Sequence, residues 1–301
     1  MTIHFTADRG DARLRLDQVL VRRVTEVSGM SRARAQRWIA EGLVSVDETP
    51  APRASIHVRE GAAIDVMVPP TAKLRAAPLP EPVLLDVLYE DDDLMAINKP
   101  AGMVVHPSFR NARGTLLNGV LWRLRERTDT CPGLVSRLDK DTSGLILVAL
   151  SPGSHARIQR DAGHVKKQYL AVVRGTPQPS EGVIRFPLRR DPADRRRIVP
   201  CSVDDPAGAA SETRYATVST NGGCSLLQCE LVTGRTHQVR VHLAASGWPI
   251  VGDGRYGTSD VRIDRQALHA WRITLPHPRT RETLSLEAPI PPDISMLCSK
   301  S

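Results

Sequence analysis

The segment Ser136-Arg137-Leu138-Asp139-Lys140-Asp141-Thr142-Ser143-Gly144 sets one carboxylate, Asp139, between two cations, Arg137 and Lys140. Nearby positive charge keeps such a carboxyl ionised, which suits a nucleophile or a general base. The segment stands directly before an apolar run, residues 144–150. Polar residues at the edge of a buried strand are well placed to line a cleft. The same pattern also describes an ordinary surface ion pair, and this segment alone does not decide between the two. Other chemistries are poorly served. Gly252-Asp253-Gly254-Arg255-Tyr256-Gly257 spells G-x-G-x-x-G. A dinucleotide loop needs a strand before it and an apolar helix after it, and residues 258–266 are polar. His237 and His242 lack the H-E-x-x-H arrangement of a zinc hydrolase. Neither a G-x-S-x-G elbow nor a paired Cys/His nucleophile segment occurs.

The elements that must position Asp139 follow from the pattern around it. Pro69, Pro70, Pro78, Pro80 and Pro82 make residues 69–82 a semi-stiff linker. It divides a small module, residues 10–70, from a large one, residues 83–292. In the small module, Leu16, Val19 and Leu20 recur at helical spacing. A second helix runs from the N-cap Ser31 to Glu41, with Gly42 as its stop. Arg34 and Arg37 share one of its faces, while Ala35, Trp38 and Ile39 face a core. Residues 43–46 alternate like a strand, 47–50 form a turn, and 56–58 and 64–68 read as further strands. In the large module, strands are expected at 83–89, 94–98, 144–150, 168–173, 215–219 and 226–232. Helices are expected at 115–126, 154–162 and 236–245. Strands abut strands without regular crossover helices. The expected fold is therefore α+β: a mixed, largely antiparallel sheet flanked by helices, preceded by a small α+β domain.

Two resemblances add to this reading. The stretch Arg15-Leu16-Asp17, then residues 31–42, then Leu43-Val44-Ser45-Val46-Asp47 resembles a small RNA-binding module first described in a ribosomal protein of the small subunit. The large module carries an ordered set of segments. These are Ile97-Asn98-Lys99-Pro100-Ala101-Gly102 with His106-Pro107, the Asp139 segment, and Lys167-Gln168-Tyr169-Leu170. They continue with Thr233-Gly234-Arg235-Thr236-His237-Gln238-Val239-Arg240, Pro249-Ile250-Val251-Gly252-Asp253 and Leu268-His269-Ala270. In this order they resemble the A-type family of bacterial large-subunit ribosomal RNA pseudouridine synthases, over residues 83–290. The resemblance implies isomerisation of a uridine already in RNA, with no metal or organic cofactor. Asp139 matches the essential carboxylate, acting as nucleophile or as base towards the ribose. Tyr169 matches the active-site tyrosine that stacks on the target base. Arg240 matches the arginine that pairs with the carboxylate, and Arg137 the one that fills the space left by the flipped uridine. Lys99 lies in the first matching segment and is assigned to RNA binding, as are Arg34 and Arg37. One departure stands out: Ser136 replaces the histidine most often found before Arg137. The resemblance favours ribosomal over transfer RNA as partner, and a monomer.

Composition agrees. The 301 residues carry 41 Lys+Arg and 33 Asp+Glu, so 41 − 33 gives a net charge of +8, which suits a polyanionic partner. The bias towards Arg is also what a GC-rich genome produces. With 4% aromatic residues, a stacking platform of many rings is disfavoured. No apolar run is long enough to span a membrane, and residues 1–11 lack a signal pattern. Five cysteines without a C-x-x-C argue for a reducing cytoplasm and against a zinc site. The arginines between 185 and 197 are interspersed with Pro and Asp; they read as a loop that contacts RNA phosphates. Two other functions fit the residues less well. One is a catalytically idle RNA-binding or ribosome-assembly factor, which would have lost Asp139. The other is a hydrolase, which lacks a second carboxylate partner.

Overall fold

The computed structural model describes residues 1–12, 14–24, 27, 30–70, 78–108 and 111–298. The chain divides into two compact units, Met1–Pro78 and Leu79–Ser301. Residues 71–77 of the Pro-rich stretch lie outside the described residues.

The first unit contains β1 (Thr2–Thr6), α1 (Leu16–Arg23), α2 (Arg32–Ala40), β2 (Val44–Val46), β3 (Thr49–Pro50) and β4 (Ala63–Met67). The strands form one sheet in the order β1-β4-β2-β3. Ser31 Oγ accepts the Arg34 amide at 3.3 Å and starts α2. Gly42, at φ +71°, ends it in a conformation that a side chain would strain. Leu16, Val19 and Leu20 of α1 pack with Ala35, Trp38 and Ile39 of α2 over Ile64 and Val66. Burial of these side chains, at about 1.5–3 kcal/mol each, is what holds so small a unit together. Two features differ from the sequence reading. Residues 2–6 form a strand, because Ile3 and Phe5 meet Val66 and Ile64 across β4. Residues 56–58 do not form one; His57 makes only an isolated bridge to Arg15.

The second unit opens with β5 (Asp86–Glu90), β6 (Leu94–Lys99), α3 (Leu116–Arg123), β7 (Gly133–Leu134), β8 (Ser143–Ala149) and α4 (Pro152–Arg160). It continues with β9 (Lys166–Arg174), β10 (Glu181–Ile184), β11 (Leu188–Arg190), β12 (Ile198–Pro200), β13 (Thr213–Asn221) and β14 (Cys224–Leu231). It closes with α5 (Gln238–Ala245), β15 (Leu268–Pro276), β16 (Thr283–Glu287) and α6 (Pro292–Cys298). Eight strands run in the order β10-β13-β14-β9-β15-β8-β6-β5, with β16 on β15 and β7 on β8. Within this sheet β8 and β15 pair in parallel and the neighbouring pairs are antiparallel. The sheet is mixed and largely antiparallel, as the abutting strands predict.

Every residue of β8 is buried, since it lies between β6 and β15 with side chains packed on both faces. Gly144 makes that parallel approach feasible. Its φ is +108°, and a Cβ there would lie 2.2 Å from the Ala270 carbonyl oxygen. The Arg-rich segment is not a plain loop. β11 and β12 pair as a two-stranded ribbon, seated by Leu188 and Ile198 against Val241 of α5.

Candidate active site

Asp139 sits in the turn before β8, where its carbonyl accepts the Thr142 amide at 3.2 Å. Its carboxylate is 27% exposed, open on one side. Arg240 Nη1 donates to Oδ2 at 2.7 Å. That guanidinium is itself buried and fixed from behind. Its Nε and Nη2 donate to Asp253 Oδ2 and Oδ1 at 2.7 and 2.8 Å, a bidentate pair. Burial alone would raise the Asp253 pKa, but the bonds and charge of Arg240 hold it below the ordinary value. Arg240 is held protonated for the matching reason, its burial outweighed by Asp253 and Asp139. Gln238 anchors the start of α5. Its Oε1 accepts the Arg235 amide and the Thr233 hydroxyl, and its Nε2 donates to the Glu212 carbonyl. Arg240 thus projects from a helix tied to the sheet, and the ion pair inherits that rigidity.

Asp139 opens into a cleft of about 900 Å³. Tyr169 of β9, Arg137, Lys167, Arg190 of β11, Arg235 and His237 line it with Asp139. Burial, and secondarily the charge of Asp139, pushes the Tyr169 hydroxyl pKa far up, so the ring stays a neutral phenol. Arg137 and Arg190 are exposed. The cleft therefore joins one oriented carboxylate, one neutral aromatic ring and several cations. Such a set can take up a flipped base while its phosphates remain at the rim.

The family model for RNA pseudouridylate synthases matches residues 93–245, which include Asp139, Tyr169 and Arg240. The chain is 39% identical over 308 residues to a ribosomal large subunit pseudouridine synthase D of Nitrosomonas europaea, covering 98% of this chain and 87% of that one. It is 35% identical over 302 residues to an uncharacterized RNA pseudouridine synthase of Bacillus subtilis, covering 98% and 96%. The chain belongs to the RNA pseudouridine synthase family. Among solved structures, the human RNA pseudouridylate synthase domain containing 1 matches with a TM-score of 0.56 and 26% identity, over 69% of this chain and 84% of that chain.

One residue expected to touch RNA does something else in this pseudouridine synthase. Lys99 is fully buried. Its Nζ donates to the carbonyls of Pro100, Met103 and Lys140 at 2.8, 2.9 and 2.8 Å. In the protonated form three donors meet three acceptors, and in either form no donor is left for a phosphate. Burial brings its pKa down to about 7, although Asp141 pulls it back. Lys99 therefore ties the end of β6 to the Asp139 turn and is not an RNA contact. Arg34 is half-buried and Arg37 exposed on α2 of the first unit, where Arg37 lies 3.9 Å from Glu41.

Three residues of the site were given no role by the sequence reading: His237 and Asp253, which lie in its matching segments, and Tyr256. Asp253 and Tyr256 sit within the G-x-G-x-x-G look-alike. Asp253 Oδ1 accepts the amides of Arg255 and Tyr256 at 3.0 and 3.2 Å, a turn signal that would have singled it out. Gly252 is needed there: at φ +75°, its Cβ would lie 2.1 Å from the Arg265 carbonyl oxygen. His242, by contrast, is a buried core residue bonded to Thr213 and Phe186.

Proposed function

We propose that the chain isomerises specific uridines in RNA, with large-subunit ribosomal RNA as the substrate, by an Asp139-dependent rearrangement of the glycosidic bond. The observation that carries this is the carboxylate held by Arg240 on the wall of the Tyr169 cleft. The glycosidic bond of a stacked nucleotide is out of reach, so the uridine must leave the helix first. Arg137 would fill the vacated space and Tyr169 would stack on the base. The bond from C1′ to N1 breaks, the bond from C1′ to C5 forms, a proton leaves C5 and one joins N1. Nothing is oxidised and no atom is gained, so the reaction calls on no energy source or cofactor. Asp139 takes part as nucleophile or as base towards the ribose; both routes require it ionised and aimed. Arg34 and Arg37 of the first unit and the arginines of the β11–β12 ribbon would hold phosphates. The names of relatives such as those from Nitrosomonas europaea and Neisseria meningitidis favour ribosomal RNA, and with it a cytoplasmic setting.

RNA labelled with tritium at C5 of uridine tests this directly. The wild type should release tritium, and Asp139→Asn should release none while still binding RNA. Release that persists in Asp139→Asn would sink the assignment. Mapping the modified position in ribosomal RNA from a strain lacking the protein would name the site.

A further inference from the structure

His237 occupies an uncommon position. It is the residue before α5, with φ +54° and ψ 18°, a left-handed conformation that side chains seldom adopt. Strain of that kind costs about 1–3 kcal/mol and persists only where surrounding contacts fix it. The contacts are clear. Nδ1 lies 2.7 Å from the Tyr256 hydroxyl, and Nε2 lies 3.6 Å from Asp139 Oδ1, the oxygen that Arg240 does not hold.

The hydrogen-bond inventory bears on which nitrogen carries the proton. The Tyr256 oxygen already accepts the Ile198 amide at 3.0 Å. Among the described residues, its own O–H has one acceptor in reach, His237 Nδ1. Burial raises the Tyr256 pKa, so that O–H is retained. Only a bare Nδ1 gives that O–H an acceptor among the described residues, and this tautomer puts the ring hydrogen on Nε2, towards Asp139. The groups facing the ring are Asp139, Arg240, Arg255 and Asp253. Burial lowers the His237 pKa, Asp139 pulls it up, and Arg240 with Arg255 push it down again; the net is a fall, which favours the neutral ring.

We propose that His237 is a positioning residue for Asp139, locked by Tyr256 as the Nε2–H tautomer so that it steers the oxygen that reacts. The proposal rests on Asp139 being the reacting carboxylate. At 3.6 Å the contact is too long for a hydrogen bond. Catalytic hydrogen bonds are often long in a free enzyme and tighten in the complex. The chain of contacts also says what could tighten this one. Ile198 belongs to β12, the ribbon that carries Arg190, Arg195, Arg196 and Arg197. Arg197 stands over the Tyr256 ring at 5.7 Å. RNA seated on the ribbon would bear on Tyr256, through it on His237, and so on Asp139.

Two measurements test this. Long-range 1H–15N spectra of protein labelled at histidine should show His237 protonated at Nε2 and bare at Nδ1 at neutral pH, and Tyr256→Phe should abolish that preference. A His237 found as the Nδ1–H tautomer, or as a mixture, would overturn the proposal. This spectrum needs no RNA, so it stands apart from whether Asp139→Asn releases tritium. In single turnovers at saturating enzyme, Tyr256→Phe and His237→Leu should each slow tritium release by about 10- to 100-fold, the size of one hydrogen bond to a charged group. The RNA Kd should stay unchanged, and His237→Gln, whose amide can donate, should recover most of the rate. A loss confined to Kd, or a Leu variant as fast as wild type, would refute it. Tyr256→Phe keeps the ring and guards against a His237 variant that fails to fold.

Discussion

Asp253→Asn is the most informative single change at this site. Asp253 is 2% exposed, and it fixes Arg240 through Nε to Oδ2 at 2.7 Å and Nη2 to Oδ1 at 2.8 Å. Asn retains an acceptor that can serve Nη2 and the amides of Arg255 and Tyr256. It places an N–H against the Arg240 Nε–H, so one strong bond becomes a donor–donor contact and the guanidinium keeps only the charge of Asp139. Breaking a buried pair by removing one partner costs about 3–5 kcal/mol. The surviving bonds put this variant near the lower end, about 3 kcal/mol, in urea denaturation of the full chain at neutral pH. Arg240 would also turn towards Asp139, and misplacing a reacting group by about 1 Å costs up to 100-fold. Tritium release should therefore fall by about 10- to 100-fold, with RNA affinity held. The pH dependence has a definite sign. The Asp253 pKa is lower in the folded chain than in the unfolded one. Its contribution is present above the unfolded value, 3.8, and is lost as pH falls through the folded value. The wild type should lose that part of its stability below pH 3.8, and Asp253→Asn should lack that loss. Wild-type stability and wild-type rate together in Asp253→Asn would refute the claim that Asp253 fixes Arg240.

Gly144→Ala should destabilise the protein by about 3 kcal/mol or more, since it combines a positive φ with a clash against strand backbone; thermal denaturation reads it. Lys99→Met strips donors from three carbonyls and should cost about 3 kcal/mol or more, leaving the salt dependence of RNA binding unchanged. An altered salt slope would instead return Lys99 to the RNA contacts. Neutralising Arg190, Arg195 and Arg197 to Gln should reduce the slope of log K against log salt by about 2, at about 0.7 per single-strand phosphate.

What the sequence made legible was local. Asp139 was legible as a candidate because its polar segment meets the continuous apolar run of β8 within fifteen residues, and it was the ordered set of segments around it that singled it out. Helix α2 was readable from Ser31 to Gly42 because cap and stop are local devices. What stayed hidden depends on distant partners. Strand β1 forms only because β4, some sixty residues on, pairs with it. The Pro and Asp residues between 185 and 197 read as loop, and it is burial of Leu188 and Ile198 against Val241 that makes a ribbon there. Lys99 was assigned to RNA through its matching segment, and nothing near it shows that three carbonyls, one of them 41 residues away, enclose its side-chain nitrogen. Asp253 lay in a matching segment, but its role depends on Arg240, thirteen residues away in the chain, and no local signal shows that pairing.

The sharing of one guanidinium between two carboxylates orients Asp139 without occupying both of its oxygens. Without a fixed donor, the partly exposed Asp139 carboxylate would be free to turn. Paired bidentately with its own arginine, it would be fixed, but both oxygens would be committed. Asp253 avoids both outcomes. It occupies Nε and Nη2, leaving only Nη1 for Asp139. One oxygen of Asp139 is thereby anchored, and the other is left to the cleft that Asp139 lines. The same division explains why Arg suits this position and Lys would not. A single ammonium cannot hold one carboxylate in a fork while presenting a third, fixed donor to another. Arg240→Lys should therefore resemble loss of the residue in rate, while retaining the positive charge of the site.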